Sequence, residues 1–168
     1  RKLSSSGVEK QIRAFVRCAS LAREAGYDGV ELMGSEGYFI NQFLVTRTNK
    51  RTDHWGGDFQ AWMRLPVEIV SRVREAVGPD FIIIYRLSML DLVEDGSSWE
   101  EVETLGQAVE QAGAGHLEYV QVGVAGRQFQ VKAGLVPPEG VDVERQPVLE
   151  DANRTAAVRR GRRQRVRG

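Results

Sequence analysis

The feature that most constrains this chain is an unbroken apolar run, from Phe81 to Tyr85, between two segments with helical periodicity. An uncharged run of this length predicts a strand, over about residues 81–86, that is covered on both faces as in a parallel sheet. Apolar residues recur at every third or fourth position in the flanking segments, over about residues 60–77 and 98–112. The centre of the chain is therefore predicted to be a helix, a strand and a helix.

The same alternation extends to both sides of this centre. A helix is predicted over residues 5–25, and strands are predicted over residues 29–33 and 116–122. Strands that alternate with helices favour parallel pairing, as in a doubly wound sheet or a (β/α)8 barrel. No G-x-G-x-x-G motif lies between a strand and a helix to favour the doubly wound sheet. Because a whole barrel needs about 250 residues, this chain is predicted to be an α/β fold that forms part of a TIM barrel, with about three βα units.

Local signals predict where these helices begin and end. Gly26 is predicted to cap the C-terminus of the first helix, and Ser98 with Glu101 predicts a capping box at the start of the third. Pro66 lies inside the predicted second helix, so we expect it to kink the first turns or to mark where the regular helix begins.

The organisation of the sequence changes near residue 124. Residues 1–124 carry the alternating elements, whereas residues 125–168 are expected to form an irregular, disordered tail because they lack a sustained period. The end of this tail is rich in arginine, although the net charge of the whole chain is zero. A basic tail is typical of a nucleic-acid-binding module, which stays an alternative, but the absence of interleaved aromatic residues does not support specific nucleic-acid readout.

Other sequence features bear on the setting of the protein. No apolar run approaches the roughly 18 residues of a membrane-spanning helix, and no secretory signal is present, so we expect a cytoplasmic protein that does not engage a membrane. His54 and His116 lack the spacing of metal ligands, and no metal site is expected. The chain begins with Arg1 rather than methionine, which predicts a fragment or a processed piece.

Two places after predicted strands carry residues suited to chemistry, because active sites of barrels lie in the loops after the strands. Tyr38 follows the first strand, where a phenol can donate a proton to a substrate; the alternative is a packing aromatic. Arg86 ends the apolar strand, and it faces either a carboxylate partner or an anionic ligand. The loop over residues 47–53 holds three cations, which either bind phosphate groups or form a solvated surface.

Three stretches of the chain, residues 21–38, 47–57 and 81–94, carry a resemblance to a known family. Their G-Y-x-x-x-Q-F-L and N-x-R-x-D-x-x-G-G patterns resemble the old yellow enzyme family of NADH:flavin oxidoreductases. The M-G-S-E-G-Y and Y-R-L-S-M-L-D runs resemble its NADPH-dependent 2,4-dienoyl-CoA reductase branch. The resemblance covers about residues 3–114.

The resemblance implies an FMN-binding TIM barrel that reduces 2,4-dienoyl-CoA thioesters with NADPH in fatty-acid β-oxidation. Tyr38 would be the catalytic proton donor to the developing dienolate, and Arg86 would lie beside the pyrimidine edge of the flavin. Four loop residues would contact the acyl-CoA substrate: Arg47, Thr48, Asn49 and Lys50. Met33 and Glu36 occupy positions where many old yellow enzymes place residues that grip a carbonyl, which favours the dienoyl-CoA branch; another old yellow enzyme-type ene-reductase is the alternative.

The resemblance also implies parts that this chain lacks. The parent enzyme would carry FAD and a 4Fe–4S cluster with ligands outside the chain, and the remaining barrel strands would be needed. We therefore expect the fragment to be inactive alone and to bind FMN weakly or not at all. After residue 114 the sequence departs from the family pattern, so residues 115–168 are expected to come from an altered reading frame or a truncated gene.

Overall fold

The part of the chain that the structure describes is an alternation of helices and strands. The structure is a computed structural model, and it describes residues 2–89, 96–122 and 128–131. The elements, in chain order, are α1 (Ser5–Glu24), β1 (Gly29–Gly34), α2 (Asn41–Leu44), α3 (Phe59–Val77), β2 (Ile82–Ser88), α4 (Trp99–Gln111), β3 (His116–Val122) and β4 (Gln128–Val131). The predicted order of the long helices and of the first three strands is confirmed. Among the described helices, none has the length and apolarity needed to cross a bilayer.

The four strands form one sheet in the order β1-β2-β3-β4. The first three strands are parallel, with Met33 opposite Arg86 and Arg86 opposite Glu118, as the alternation with helices predicts. β4 pairs antiparallel with β3, which differs from the irregular tail expected from residue 125. Its four residues alternate polar and apolar side chains, but a segment this short carries no reliable periodic signal. Residues 132–168, including the basic tail, lie outside the described residues.

The two faces of the sheet differ because successive strand residues point to opposite sides. Ile83, Tyr85 and Leu87 of β2 are buried in a core that they share with α1, α3 and α4. The opposite face carries Ile82, which is 50% exposed, and Arg86. Coverage of both faces of β2 was expected, but among the described residues only the helical face is covered. The interior of a barrel is filled by side chains from the whole ring of strands, which three parallel strands cannot supply.

The helix termini follow the predicted signals, with one exception. Gly26 has a φ of 85°, and its N–H and that of Tyr27 bond to carbonyls of the last turn of α1, as in a Schellman motif. The capping box of α4 is present, with Ser98 and Glu101 bonded reciprocally. α3 begins at Phe59 and continues through Pro66, so the expectation that Pro66 marks its start is wrong. The side chain of Asp58 caps this helix instead, by accepting a hydrogen bond from the Ala61 N–H at 2.9 Å.

We expect the substitution Gly34→Ala to lower the free energy of unfolding by about 1–3 kcal/mol, because a buried ring would have to shift. A Cβ at Gly34 would lie 2.2 Å from the hydroxyl oxygen of Tyr85, which is fully buried. Gly115→Ala is the matched control, since its nearest contact would be the Ile83 carbonyl oxygen at 3.8 Å, and we expect an effect of about 0.5 kcal/mol or less. Urea unfolding measures both, and equal losses would contradict the clash.

Candidate functional site

Arg86 links three adjacent strands on the open face of the sheet. Its Nη2 donates to Glu31 Oε2 at 2.9 Å and to Glu118 Oε2 at 3.0 Å, and its Nε donates to Glu118 Oε2 at 3.2 Å. The register explains these contacts, because Glu118 lies opposite Arg86 on β3 and Glu31 lies on the same face of β1, two residues before Met33. Of the two alternatives for Arg86, the carboxylate partner is therefore present in the structure.

The three charged groups perturb one another. Burial works to lower the pKa of Arg86, but Glu31 and Glu118 outweigh it and raise that pKa above its ordinary value. Burial raises the pKa of the Glu31 carboxyl, and Glu118 adds to this rise, against the lowering effect of Arg86. Arg86 is therefore always charged, and two carboxylates compete for one cation.

The remaining guanidinium nitrogen of Arg86, Nη1, lies nearest the loop that follows β1. It is 3.9 Å from Glu36 Oε1, which is beyond hydrogen-bond distance. Within the described residues it donates no hydrogen bond, whereas Nε and Nη2 are both engaged. Arg86 therefore keeps one donor edge for a further acceptor.

Tyr38 lies in a loop whose backbone is fixed by neighbouring side chains. Asn41 Oδ1 accepts a hydrogen bond from the Gly37 N–H at 2.7 Å, and Gln42 Nε2 donates to the Gly37 carbonyl at 2.8 Å. The Tyr38 side chain is 58% exposed, so it is not a buried packing aromatic. The loop therefore presents an accessible phenol on a positioned backbone.

This loop contacts the carboxyl end of β2. The Glu36 N–H donates to Ser88 Oγ at 3.3 Å, and the Glu36 carboxylate approaches Arg86. Glu36 has a φ of 61°, in the left-handed region that non-glycine residues rarely adopt and that is enriched at functional sites. The structure thus brings the loop of Tyr38 and the strand of Arg86 to the same end of the sheet.

Asn49, one of the four residues predicted to contact an acyl-CoA, is buried and engaged by the fold. Its Nδ2 donates to the carbonyls of Phe43 at 2.8 Å and Trp55 at 2.9 Å. Its Oδ1 accepts from the Arg51 N–H at 3.2 Å. These hydrogen bonds hold the loop together, and they leave the Asn49 amide few donors or acceptors with which to bind a substrate.

The other three of these residues, Arg47, Thr48 and Lys50, are exposed. The Thr48 hydroxyl donates to the Gln42 carbonyl at 2.7 Å. Because Gln42 also holds Gly37, this bond connects the exposed cations to the loop of Tyr38. Arg47 and Lys50 are the cations of this loop that remain accessible.

Arg51, the third cation of this loop, joins the loop to the start of α1. It is buried, and its guanidinium donates to Asp53 through Nε at 2.8 Å and to the Leu3 carbonyl through Nη1 at 2.7 Å. Asp53 also accepts from the Ser5 hydroxyl at 2.7 Å. The hydrogen bond from Arg51 is the main cause that holds the pKa of the Asp53 carboxyl well below its usual range. Arg51 is therefore a structural cation rather than a phosphate ligand.

Sequence reasoning missed Glu31 and Glu118. Both lie in strands that the sequence predicts. Side chains alternate between the two faces of a strand, and this alternation together with the register places both glutamates on the same face of the sheet as Arg86. That alternation was the available signal, but the pairing of the strands was needed to bring the three side chains together.

Residues 1–133 match the model of the NADH:flavin oxidoreductase / NADH oxidase family. This match covers most of the chain and includes Tyr38 and Arg86. The chain belongs to this family. The family assignment therefore confirms the coarser part of the resemblance, which concerned flavin oxidoreductases of the old yellow enzyme type.

Individual relatives agree with this family assignment. The chain is 42% identical over 124 residues to the NADH oxidase of Thermoanaerobacter brockii, a match over 74% of this chain and 19% of that protein. A 2-naphthoyl-CoA reductase solved with 2-naphthoyl-CoA is 33% identical, with a TM-score of 0.68 over 72% of this chain and 18% of that one. Morphinone reductase is 31% identical, with a TM-score of 0.62 over 71% of this chain and 32% of that one. The partial TIM-barrel fold is confirmed by these structures.

The comparisons also set the extent of the family segment. The chain spans between 17% and 37% of the length of the first three curated relatives that it matches. The family match runs to residue 133 rather than ending near residue 114. β3 lies beyond residue 114 and pairs in parallel with β2 as a family strand would, so the expected departure at residue 115 is wrong. Strand pairing depends on backbone register and β-forming side chains, which residues 116–122 provide without the expected motif letters.

The donor chemistry of Arg86 fits an FMN cofactor. A flavin presents acceptor nitrogen and oxygen atoms at its pyrimidine edge, and the Nη1 edge of Arg86 is a charged donor that remains open among the described residues. Arg86 would hold this edge of the flavin, with Tyr38 at the same end of the sheet.

We expect Asp53→Asn to lower the free energy of unfolding at pH 7 by about 1 kcal/mol, a value reduced because the carboxylate is partly exposed. The folded state lowers the pKa of Asp53 below its ordinary value of 3.8, so this stabilisation is present above that value and declines as pH falls below it. Urea unfolding between pH 7 and pH 2 measures the difference between the two proteins. A difference that stays constant across this range would contradict the ion pair.

Proposed function

We propose that the protein carrying this chain is an FMN-dependent reductase of a carbon–carbon double bond conjugated to a CoA thioester. The proposed substrate is a 2,4-dienoyl-CoA, and the proposed reductant is NADPH. The observation that carries this proposal is the placement of the Tyr38 loop beside Arg86, through the contacts of Glu36 with Ser88 and Arg86. A proton donor and a cationic flavin contact are the two groups that such a reduction requires from the protein.

The reduction adds a hydride and a proton across the double bond; FMN, when bound, would supply the hydride, and NADPH, which becomes NADP⁺, is the source of the two electrons. Tyr38 supplies the proton in this proposal, from its hydroxyl to the carbon that becomes carbanionic. Phenols are weak acids in water, but they suit a strongly basic carbanion in a site that excludes water.

The role proposed for Arg86 is to stabilise negative charge on the flavin, and it transfers no proton. Its guanidinium cannot be deprotonated under working conditions, so it provides a fixed positive group beside the flavin. Such a preorganised charge favours the reduced, anionic form of the ring. Its ion pairs with Glu31 and Glu118 hold it in place before any ligand binds.

The choice of a CoA thioester rests on two supporting observations. Arg47 and Lys50 are exposed on a segment that the Thr48–Gln42 bond ties to the Tyr38 loop, and their charge suits the phosphates of CoA. The similar 2-naphthoyl-CoA reductase binds a CoA thioester. The FAD and 4Fe–4S cluster of the dienoyl-CoA branch belong to this proposal, with their ligands outside the chain.

A second candidate is a reductase of simple unsaturated carbonyl compounds that uses the same flavin chemistry. The similarity to morphinone reductase favours it. Met33 and Glu36 disfavour it, because neither provides the histidine-type donors that the resemblance leads us to expect around a small carbonyl. The rate of reduction of a dienoyl-CoA relative to a simple enone separates the two candidates.

We expect Tyr38→Phe to slow flavin reoxidation by the dienoyl-CoA about 100- to 10,000-fold, the usual range for loss of a general acid. Flavin reduction by NADPH should be unchanged, because that step needs no proton from Tyr38. Stopped-flow absorbance of the flavin measures both half-reactions in the FMN-loaded full-length protein. Tyr27→Phe is the matched control, since Tyr27 is also exposed (68%) but lies in the α1–β1 connection. Equal reoxidation rates for the Tyr38 variant and the unsubstituted protein would exclude Tyr38 as the acid.

A further inference from the structure

The Arg86 guanidinium forms ion pairs with two carboxylates, which contact with a flavin does not require. Glu118 accepts hydrogen bonds from both Nε and Nη2, and Glu31 accepts a further one from Nη2. When both carboxylates are ionised, this charged trio of Glu31, Arg86 and Glu118 has a net negative charge. The side chains are only 32%, 20% and 21% exposed respectively, so solvent screens their interactions incompletely.

Stability alone does not account for this trio. In a partly buried ion pair, the cost of removing the charges from water offsets much of their attraction. Apolar residues of similar size often stabilise a fold equally well. Ile82 and Ile84 occupy neighbouring positions on the same face of β2. The parallel register of the three strands is also fixed by backbone hydrogen bonds. The charges therefore point to a role in the site.

The geometry of the trio fixes the orientation of the guanidinium. A planar guanidinium with Nε and Nη2 bonded to neighbouring strands has little freedom to rotate. Nη1 is then the nitrogen that remains, and it lies 3.9 Å from Glu36 on the loop of Tyr38. The raised pKa of Glu31, caused mainly by burial and then by Glu118, agrees with two carboxylates that crowd one cation.

We propose that Glu31 and Glu118 are positioning residues for Arg86, an inference that rests on the proposed function. They hold the guanidinium across three strands so that Nη1 is left for the flavin. They also reduce the positive charge that Arg86 presents to the flavin, and so set its reduction potential.

Arg72 provides a matched control within the same chain. It also lies between two carboxylates, those of Glu9 and Glu68, but on the helical side of the sheet. Its Nε donates to Glu68 Oε1 at 2.8 Å, as the Arg86 Nε does to Glu118.

The first test uses the ligand-free full chain and follows hydrogen exchange at the Arg86 Nε by NMR. We expect Glu118→Ala to speed this exchange about tenfold, the equivalent of one hydrogen bond to a charged group. Glu68→Ala should speed exchange at Arg72 and leave Arg86 unchanged. Exchange at Arg86 in the unsubstituted chain that is as fast as at the exposed Arg47 would overturn the proposal.

The second test measures the two-electron midpoint potential of FMN in the holoenzyme. Glu31→Gln keeps an acceptor for Nη2 but removes a negative charge, so reduced flavin should be stabilised about tenfold relative to oxidised flavin, a shift of about 30 mV to more positive potential. Glu31→Ala also removes the acceptor, and its potential should fall below that of Glu31→Gln. Glu68→Gln should leave the potential unchanged.

A merely structural role predicts no shift in potential for any of these variants. An unchanged potential in both Glu31→Gln and Glu118→Gln would therefore overturn the proposed tuning. A full-length protein that takes up no FMN would instead refute the proposed function, and the exchange measurement would then decide whether the two glutamates hold Arg86.

Discussion

The candidate site depends on one interaction, the guanidinium of Arg86 held between carboxylates from the strands on either side. The interaction exists because three parallel strands pair in a register that sets Glu118 beside Arg86 and Glu31 nearby on the same face. It joins β1, β2 and β3 at the end of the sheet where the Tyr38 loop begins. The fold and the chemistry of the site are therefore coupled through a single side chain.

The family motifs act mainly through the backbone of the loops around this side chain. The side chains of Gln42 and Asn41 bind the backbone of Gly37, next to Tyr38. In the following loop, the Asn49 side chain donates to the Phe43 carbonyl. Arg51 then ties that loop to the start of α1, through Asp53 and Leu3. Most of the polar motif residues therefore build the scaffold, and few remain available to contact a ligand.

The sequence predicted the long elements well because their apolar residues repeat over several turns or along a whole strand. It missed α2 and β4, which have four residues each and give no sustained period. Tyr38 and Arg86 were proposed as candidate site residues from their positions after, or at the end of, predicted strands. Glu31 and Glu118 were not, because a glutamate in a strand resembles any solvent-facing residue until the register is known. The burial of Asn49 likewise depends on a loop conformation that its spacing does not reveal.

Tyr38, in the loop after β1, and Arg86, in β2, are proposed to act on one flavin. A crystal structure of the FMN-loaded full-length protein tests this claim most directly. We predict that Arg86 Nη1 lies within hydrogen-bond distance of the pyrimidine edge of the flavin, with the Tyr38 hydroxyl over the substrate side of the same ring. A flavin bound away from Arg86, or a Tyr38 hydroxyl at the opposite rim of the barrel, would contradict it.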